Sequence, residues 1–185
     1  MKTKIFVSLF FLVTCFAFAQ QRDYSSYAGY IDLGDFESFE KGDNVTEVLI
    51  EEHLIRMVSK MAKSSEPELS DILSGIKLVK VHAFETSDNS YADLVKRSEK
   101  IDKELLDKKW DRIVKTKSRD QFANVYIKTE NDDKIVGLVV TSCEVDGEAA
   151  FVNIVGDINL ETIGKLGDKF DIPSLGHIKK DSSHN

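Results

Sequence analysis

Cysteine is scarce in this sequence, which contains only Cys15 and Cys143 among its 185 residues. Cys15 lies in an apolar N-terminal run that we expect to be removed, so no second thiol remains to form an internal disulfide. A chain of this length buries about 70% of its unfolded surface, which is enough for a core to stabilise the fold without disulfides. Alternation along the surrounding segment places Cys143 with Val139 and Val145, so we interpret it as a buried structural thiol.

Metal-binding, cofactor-binding and catalytic motifs are missing as well. No pair of the four histidines has H-x-x-x-H or H-E-x-x-H spacing, and the chain has no C-x-x-C pair. The acidic runs at 32–35 and 130–133 lack the order of a calcium-binding loop, and no Walker, dinucleotide-binding or G-x-S-x-G pattern occurs. We therefore predict no metal, no cofactor and no catalytic residues. One alternative stays open: a hydrolase or transferase site near His82, with Glu85 orienting the imidazole as a general base.

Positive charge is in the minority, because 25 Lys and Arg residues face 32 Asp and Glu residues, a formal net charge of −7. Loss of Lys2 and Lys4 with the leader described below would make this balance more acidic still. Such a surface repels nucleic acid and anionic lipid, so we predict neither as a partner. The rest of the chain has no apolar run long enough to span a membrane.

The N-terminus has the pattern of a cleavable signal peptide. Lys2 and Lys4 precede an apolar run over residues 5–18, which is shorter than the roughly 20 residues that a membrane-spanning helix needs. Ala17 and Ala19 then provide the small residues that a signal peptidase recognises. We predict cleavage after Ala19 and export of the protein to the periplasm or the extracellular space.

A minor alternative is lipidation of Cys15, because residues 12–15 loosely match the lipobox that directs attachment of a lipid anchor. Thr14 is larger than the residue that usually precedes a modified cysteine. Removal of residues 1–19 is therefore the preferred interpretation.

Residues 20–44 form a polar segment that we expect to be a partly mobile N-terminal arm. Three tyrosines recur in it at a spacing of three: Tyr24, Tyr27 and Tyr30. Tyrosine is enriched in protein interfaces because it combines contact area with a polar tip, so these three residues are a candidate partner-docking strip. The preferred alternative is that the arm folds over the core of its own domain.

The remaining pattern predicts an α+β fold. Helical spacing favours helices over residues 45–63, 67–74, 91–108 and 159–170, and period-two alternation favours strands over 76–84, 110–117, 121–129, 134–145 and 148–156. In the first helix, one side is apolar and the opposite side is polar. The apolar side consists of Ile50, Leu54, Met57, Val58 and Met61, and the polar side of Glu52, His53, Arg56, Lys60 and Lys63. The short links between the last four strands, including Asp146-Gly147, predict an antiparallel meander. We expect a mainly antiparallel sheet, with the four-strand meander, one earlier strand and the helices packed on one face.

The domain organisation follows from these elements. We predict a signal peptide over residues 1–19, the arm over 20–44, a single α+β domain over 45–170, and a frayed polar tail over 171–185. The sequence has no internal repeat and no linker rich in Pro, Gly or Ser that would divide the domain.

Several strand motifs resemble those of a family of exported Bacteroidetes proteins known only as domain of unknown function 4252. The motifs are the run from Trp110 to Ile113, residues 125–127 and 135–140, and most specifically the strand VNIVGDI over 152–158. The resemblance spans about residues 30–170. It implies structural roles for Trp110, Gly137 and Gly156, and it offers no catalytic residues to carry over.

Two functional hypotheses remain. The first is a non-enzymatic exported module that binds an envelope protein or another envelope component. It depends on an acidic, regularly patterned domain that lacks a convergent set of catalytic residues. The second is the hydrolase or transferase near His82.

Overall fold

The computed structural model describes residues 23–39, 44–131 and 134–158. Within these ranges, six strands form one antiparallel sheet in the spatial order β1-β2-β6-β5-β4-β3. The strands are β1 Val45–Glu51, β2 Ile76–Glu85, β3 Asp111–Lys117, β4 Gln121–Glu130, β5 Lys134–Glu144 and β6 Glu148–Ile158. With the three helices below, this sheet confirms the α+β prediction.

The C-terminal half of the sheet is the predicted meander. Strands β3, β4, β5 and β6 are neighbours in chain order, and each pairs antiparallel with the next. Asp146 has φ 51° at the β5–β6 hairpin, in agreement with the turn signal read from Asp146-Gly147. Strand β6 then pairs with β2 on its other side, so the longest strands occupy the centre of the sheet.

Three helices lie within the described residues: α1 Glu52–Ala62, α2 Pro67–Ser74 and α3 Asp88–Asp107. Pro67 opens α2, where its missing N–H costs no helical hydrogen bond. A capping box begins α3, because Ser87 and Ser90 each bond to the backbone of the other.

The predicted helix over residues 45–63 is wrong in its first third. Residues 45–51 form the edge strand β1, which pairs along its length with β2, from Val45 opposite Phe84 to Glu51 opposite Leu78. β-Branched residues are frequent in this segment and favour a strand, and pairing with β2 outweighs the helical spacing of the apolar positions. Next to β1, the Asn44 side chain donates a hydrogen bond to Glu85.

The helices cover both faces of the sheet, which corrects the expectation that they share one face. Helix α3 and the arm pack on the first face, where Leu94, Leu105 and Phe36 meet Phe84 and Phe151. Helices α1 and α2 pack on the second face through a separate cluster that includes Ile55, Ile72 and Ile76 and the strand residues Leu138 and Ile154. Alternation along β5 and β6 assigns successive residues to the two faces.

The three residues that the resemblance marked as structural occupy crowded positions. A Cβ on Gly137 would lie 2.6 Å from both the Gly29 Cα and the Trp110 Cη2, so the arm and the indole both need this glycine. Gly156 has φ 142°, and a Cβ there would lie 2.8 Å from the Ile76 Cα. These glycines permit close backbone approaches between the arm and the sheet and between β6 and β2.

The predicted signal peptide (1–19), the helix expected over 159–170 and the polar tail (171–185) lie outside the described residues. Within the described ranges, each helix is too short or too polar to cross a membrane.

Candidate functional site

Helix α1 presents an exposed apolar surface. Four side chains spaced as successive turns of one helical face remain 40%, 53%, 48% and 75% exposed; they are Leu54, Met57, Val58 and Met61. We call these four residues the apolar row. They include both methionines that follow Met1 in the sequence. An apolar stripe at helical spacing usually faces the core, whereas the structure leaves this one exposed.

The orientation of α1 is set by different residues. Ile55, Ser59 and Ala62 are the buried positions of this helix. The Ser59 hydroxyl donates to the backbone carbonyl of Ser70 in α2 at 3.0 Å, and the two serine hydroxyls are 3.2 Å apart. Because these contacts fix one side of α1 against α2 and the sheet, the apolar row is turned to a flank of the helix.

Basic side chains lie on the other flank of α1. We call this set the basic row; it consists of His53, Arg56, Lys60 and Lys63, and all four residues are exposed. His53 Nδ1 lies 3.5 Å from Glu51 Oε2, and Arg56 Nη1 lies 3.2 Å from Glu52 Oε1. At 100° per residue, His53 and Lys60 lie about 40° and 60° around the helix from Met57, so the two rows adjoin.

The three tyrosines of the predicted docking strip lie along the arm and contact their own domain. Tyr24 donates its hydroxyl hydrogen to Glu51, and its ring centroid is 5.7 Å from that of Tyr30. The Lys77 ammonium lies 5.6 Å from the centroid of the Tyr27 ring. Docking of a partner through these tyrosines stays a prediction.

His82 is packed among aromatic rings. Its side chain faces Phe36 at 5.0 Å and Phe84 at 6.1 Å between centroids, and only 9% of the residue is exposed. Its Nε2 lies 3.3 Å from a carboxylate oxygen of Glu47 in β1. Glu85, the orienting residue considered in the sequence, instead bonds to Asn44. This environment is typical of a histidine that contributes to packing.

Cys143 is buried in the core cluster beneath α3, as expected for a structural thiol. Burial raises the pKa of this thiol to about 12, and the neighbouring Glu144 carboxylate contributes in the same direction. A thiol with so high a pKa is almost entirely protonated near neutral pH and is a poor nucleophile.

Two polar networks beneath α3 were not identified from the sequence. Asn124 donates to the hydroxyls of Ser98 and Thr141, each at 3.3 Å, and all three residues are buried. A cavity of about 50 Å³ adjoins this network, which is enough for water molecules and too small for most metabolites. The network therefore satisfies buried polar groups between α3 and the sheet.

The second network links α3 to the meander through charge. Asp102 accepts hydrogen bonds from the Arg112 guanidinium at 2.6 Å and from the Tyr126 hydroxyl at 2.9 Å. Burial, together with the hydrogen bond to Asp102, raises the pKa of Tyr126 well above its ordinary value. The residues of both networks occupy separate helix and strand positions and form no recognisable motif, so neither network could be predicted from the sequence.

Four acidic side chains gather at one end of the sheet. Glu85, Glu144, Asp146 and Glu148 surround an open depression next to the β5–β6 hairpin. Among the described residues, no group of three or more His, Cys, Asp or Glu side chains is arranged to hold a metal ion.

Comparison with known proteins identifies a family. No curated protein and no solved structure shows significant similarity to this chain. One family profile, described as "Domain of unknown function (DUF4252)", matches residues 39–166, which is more than half of the chain and includes every strand and helix described above. The chain therefore belongs to the DUF4252 family.

Proposed function

We propose that this protein is a non-enzymatic, exported binding module that recognises a partner protein through the apolar row of α1. One observation carries the proposal: Leu54, Met57, Val58 and Met61 form a continuous helical surface that stays between 40% and 75% exposed. Scattered exposed apolar residues are common, whereas a contiguous apolar stripe on one helix is typical of an interaction surface.

The chemistry of the row supports binding to a protein. Methionine is flexible and polarisable, so Met57 and Met61 adapt to the shape of an apolar partner surface. Ile55 and the serine contacts to α2 orient α1 from its buried side, and the apolar row lies outside those contacts. Binding to a rigid helix orders only the side chains at the contact and so costs little conformational entropy.

Export is supported by the leader-like N-terminus, with Lys2, Lys4 and the apolar run over 5–18. An envelope protein or another envelope component is the partner that this compartment would provide. The acidic balance of the chain is consistent with a protein that stays in solution until it meets such a partner.

Photo-cross-linking in living cells tests the proposal. A benzoylphenylalanine placed at Met61 would sit in the row, and one placed at Glu99, exposed on α3, provides a matched control position. We expect position 61 to yield a discrete cross-linked protein that position 99 does not yield. The product should disappear when Leu54→Gln and Met57→Gln are added to the chain.

Two results would contradict the proposal. The first is an identical set of cross-linked products from positions 61 and 99. The second is persistence of the position-61 product in the Leu54→Gln and Met57→Gln background. Thermal unfolding distinguishes loss of binding from loss of folding, because polar replacements at exposed positions usually change stability by less than about 0.5 kcal/mol.

A further inference from the structure

We infer that the partner presents an acidic amphipathic helix, which lies along α1 with its apolar side on the apolar row and its carboxylates on the basic row. This inference rests on the proposed function, since it names the partner chemistry of the same surface. Its basis is the juxtaposition of the two rows on one short helix.

The charge on α1 opposes that of the whole chain. The protein has a formal net charge of −7. By contrast, α1 and its C-cap carry Arg56, Lys60 and Lys63 against the single carboxylate of Glu52, and His53 lies on the same flank. His53 and Lys60 each lie one helical turn from Met57 of the apolar row, at spacings of four and three residues. A partner that buries the apolar row therefore brings its own edge against the basic row, where carboxylates are favoured over ammonium groups.

A helix fits this surface better than an extended segment does. The backbone groups within α1 are bonded to each other, so an extended peptide would find no ladder of donors and acceptors there. A second helix needs no such partners and packs by inserting its side-chain ridges between those of α1. The 11 residues of α1 span about 16 Å, which sets a matching length of about three turns.

A second copy of the chain is a less suitable occupant. A twofold axis near Met57 and Val58 would superimpose the apolar rows and bring the basic row of one copy alongside the basic row of the other. Like charges would then adjoin along most of the contact. Two copies would also approach with the same net charge, which opposes association.

An anionic membrane also offers negative charge and an apolar interior, but carboxylates beside α1 disfavour its approach. Glu66, Glu68 and Asp71 are exposed in and beside α2, which packs directly against α1. A flat anionic bilayer broad enough to touch both helices would meet these carboxylates, whereas a single helix contacts α1 alone. The apolar row also lacks the aromatic residues that anchor interfacial helices.

Synthetic helical peptides of about 15 residues test the inference on the full protein as its host processes it. The acidic probe has leucines at positions i, i+3, i+4 and i+7 and glutamates along one edge. In the second probe glutamine replaces each glutamate, and in the third lysine does. Fluorescence anisotropy gives the affinities, and the methyl signals of Met57 and Met61 report whether the peptide occupies the apolar row.

We expect the acidic peptide to bind about tenfold more tightly than the glutamine peptide at low salt. Three exposed ion pairs, each worth about 0.2–1 kcal/mol, account for such a ratio. The ratio should decrease as salt screens the charges. The variant carrying Arg56→Glu and Lys60→Glu should reverse the preference and bind the lysine peptide instead. These two positions are exposed, so the variant should fold normally.

Several outcomes would overturn the inference. Equal affinity for the glutamate and glutamine peptides, an unchanged preference in the charge-reversed variant, or no binding by any peptide would each do so. Tighter binding to phosphatidylglycerol vesicles than to the acidic peptide would assign the surface to a membrane. In each case the cross-linking at Met61 decides separately whether the proposed protein-binding function stands.

Discussion

Asn153 in β6 binds the backbone of the arm at Gly29, 124 positions earlier in the chain: its Nδ2 donates to the Gly29 carbonyl at 3.0 Å. The same amide donates to the Leu138 carbonyl at 3.2 Å, and its Oδ1 accepts the Ile31 N–H at 3.1 Å. Asn153 is fully buried. One side chain thus pairs backbone groups of the arm and of β5, and it fixes the position where the arm crosses the sheet.

Replacement of Asn153 by alanine should release the arm. We expect a loss of about 3 kcal/mol in the free energy of unfolding, because buried backbone groups lose their partners. The Ile31 amide should exchange its hydrogen faster, as measured by mass spectrometry. Asn124→Ala is the matched control, because this buried asparagine bonds to Ser98 and Thr141 and not to the arm. Equal protection of Ile31 in both variants would argue against this role for Asn153.

Alanine substitutions on the buried side of α1 should lower stability much more than substitutions on its exposed flank. Ile55→Ala removes a buried side chain and should lower the free energy of unfolding by about 2–5 kcal/mol. Leu54→Ala alters a neighbouring position in the apolar row and should change the free energy of unfolding by less than about 0.5 kcal/mol. Chemical denaturation measures both. If Leu54→Ala proved the more damaging change, the helix would be oriented with its apolar stripe towards the core.

The comparison of sequence and structure at this helix shows what the pattern could predict. Residues 67–74 and the meander were located closely, because Pro67 and the Asp146-Gly147 turn act locally and the strand alternation is regular. Residues 45–51 were not located correctly, because they form a strand by pairing with β2. Helical periodicity does not encode this long-range contact. Once β1 is a strand, α1 begins later and buries Ile55 in place of the apolar stripe.

The candidate site could not be predicted for the same reason. An apolar stripe at helical spacing usually faces the core, and only the tertiary contacts of Ser59 and Ile55 reveal that this one does not. Buried Asn124 and Asn153 and the partly buried Asp102 were also missed, since isolated polar residues in strands and helices carry no local signal of their partners. Cys143 was predicted correctly because alternation in a strand directly reports burial.

The contact between Gly137 and Trp110 predicts a strong effect of a single methyl group. Gly137→Ala would place a Cβ 2.6 Å from both the indole and the Gly29 Cα, so we expect a loss of about 3 kcal/mol in the free energy of unfolding. Trp110 is the only tryptophan, so its fluorescence reports any displacement of the ring. Gly147→Ala in the hairpin is the control, since its new Cβ would meet mainly the side chain of Glu144 at 3.1 Å. If both variants lost a similar amount of unfolding free energy, the close approach at Gly137 would not be the cause of the loss.

Cys143 should make stability depend on pH in the alkaline range only. Burial raises its pKa from an ordinary 9.0 to about 12 in the folded protein, so the unfolded chain loses this proton at lower pH than the folded chain does. The contribution is therefore complete below pH 9 and is lost progressively as the pH rises towards 12. The difference in unfolding free energy between the wild-type protein and Cys143→Ala should decrease across that interval. Denaturant titrations at successive pH values measure it.

Thiol labelling provides an independent measurement of the same group. At pH 8 the native thiol should react with an aromatic disulfide reagent at least about a hundredfold more slowly than the thiol of the protein unfolded in urea, because the thiolate is the reactive form. Cys143→Ala accounts for background reaction in both states. Rapid stoichiometric labelling of the native protein would mean that the thiol is accessible and ionised. In that case the first face of the sheet would open at β5, where Cys143 packs in the same cluster as Phe122 and Ala149.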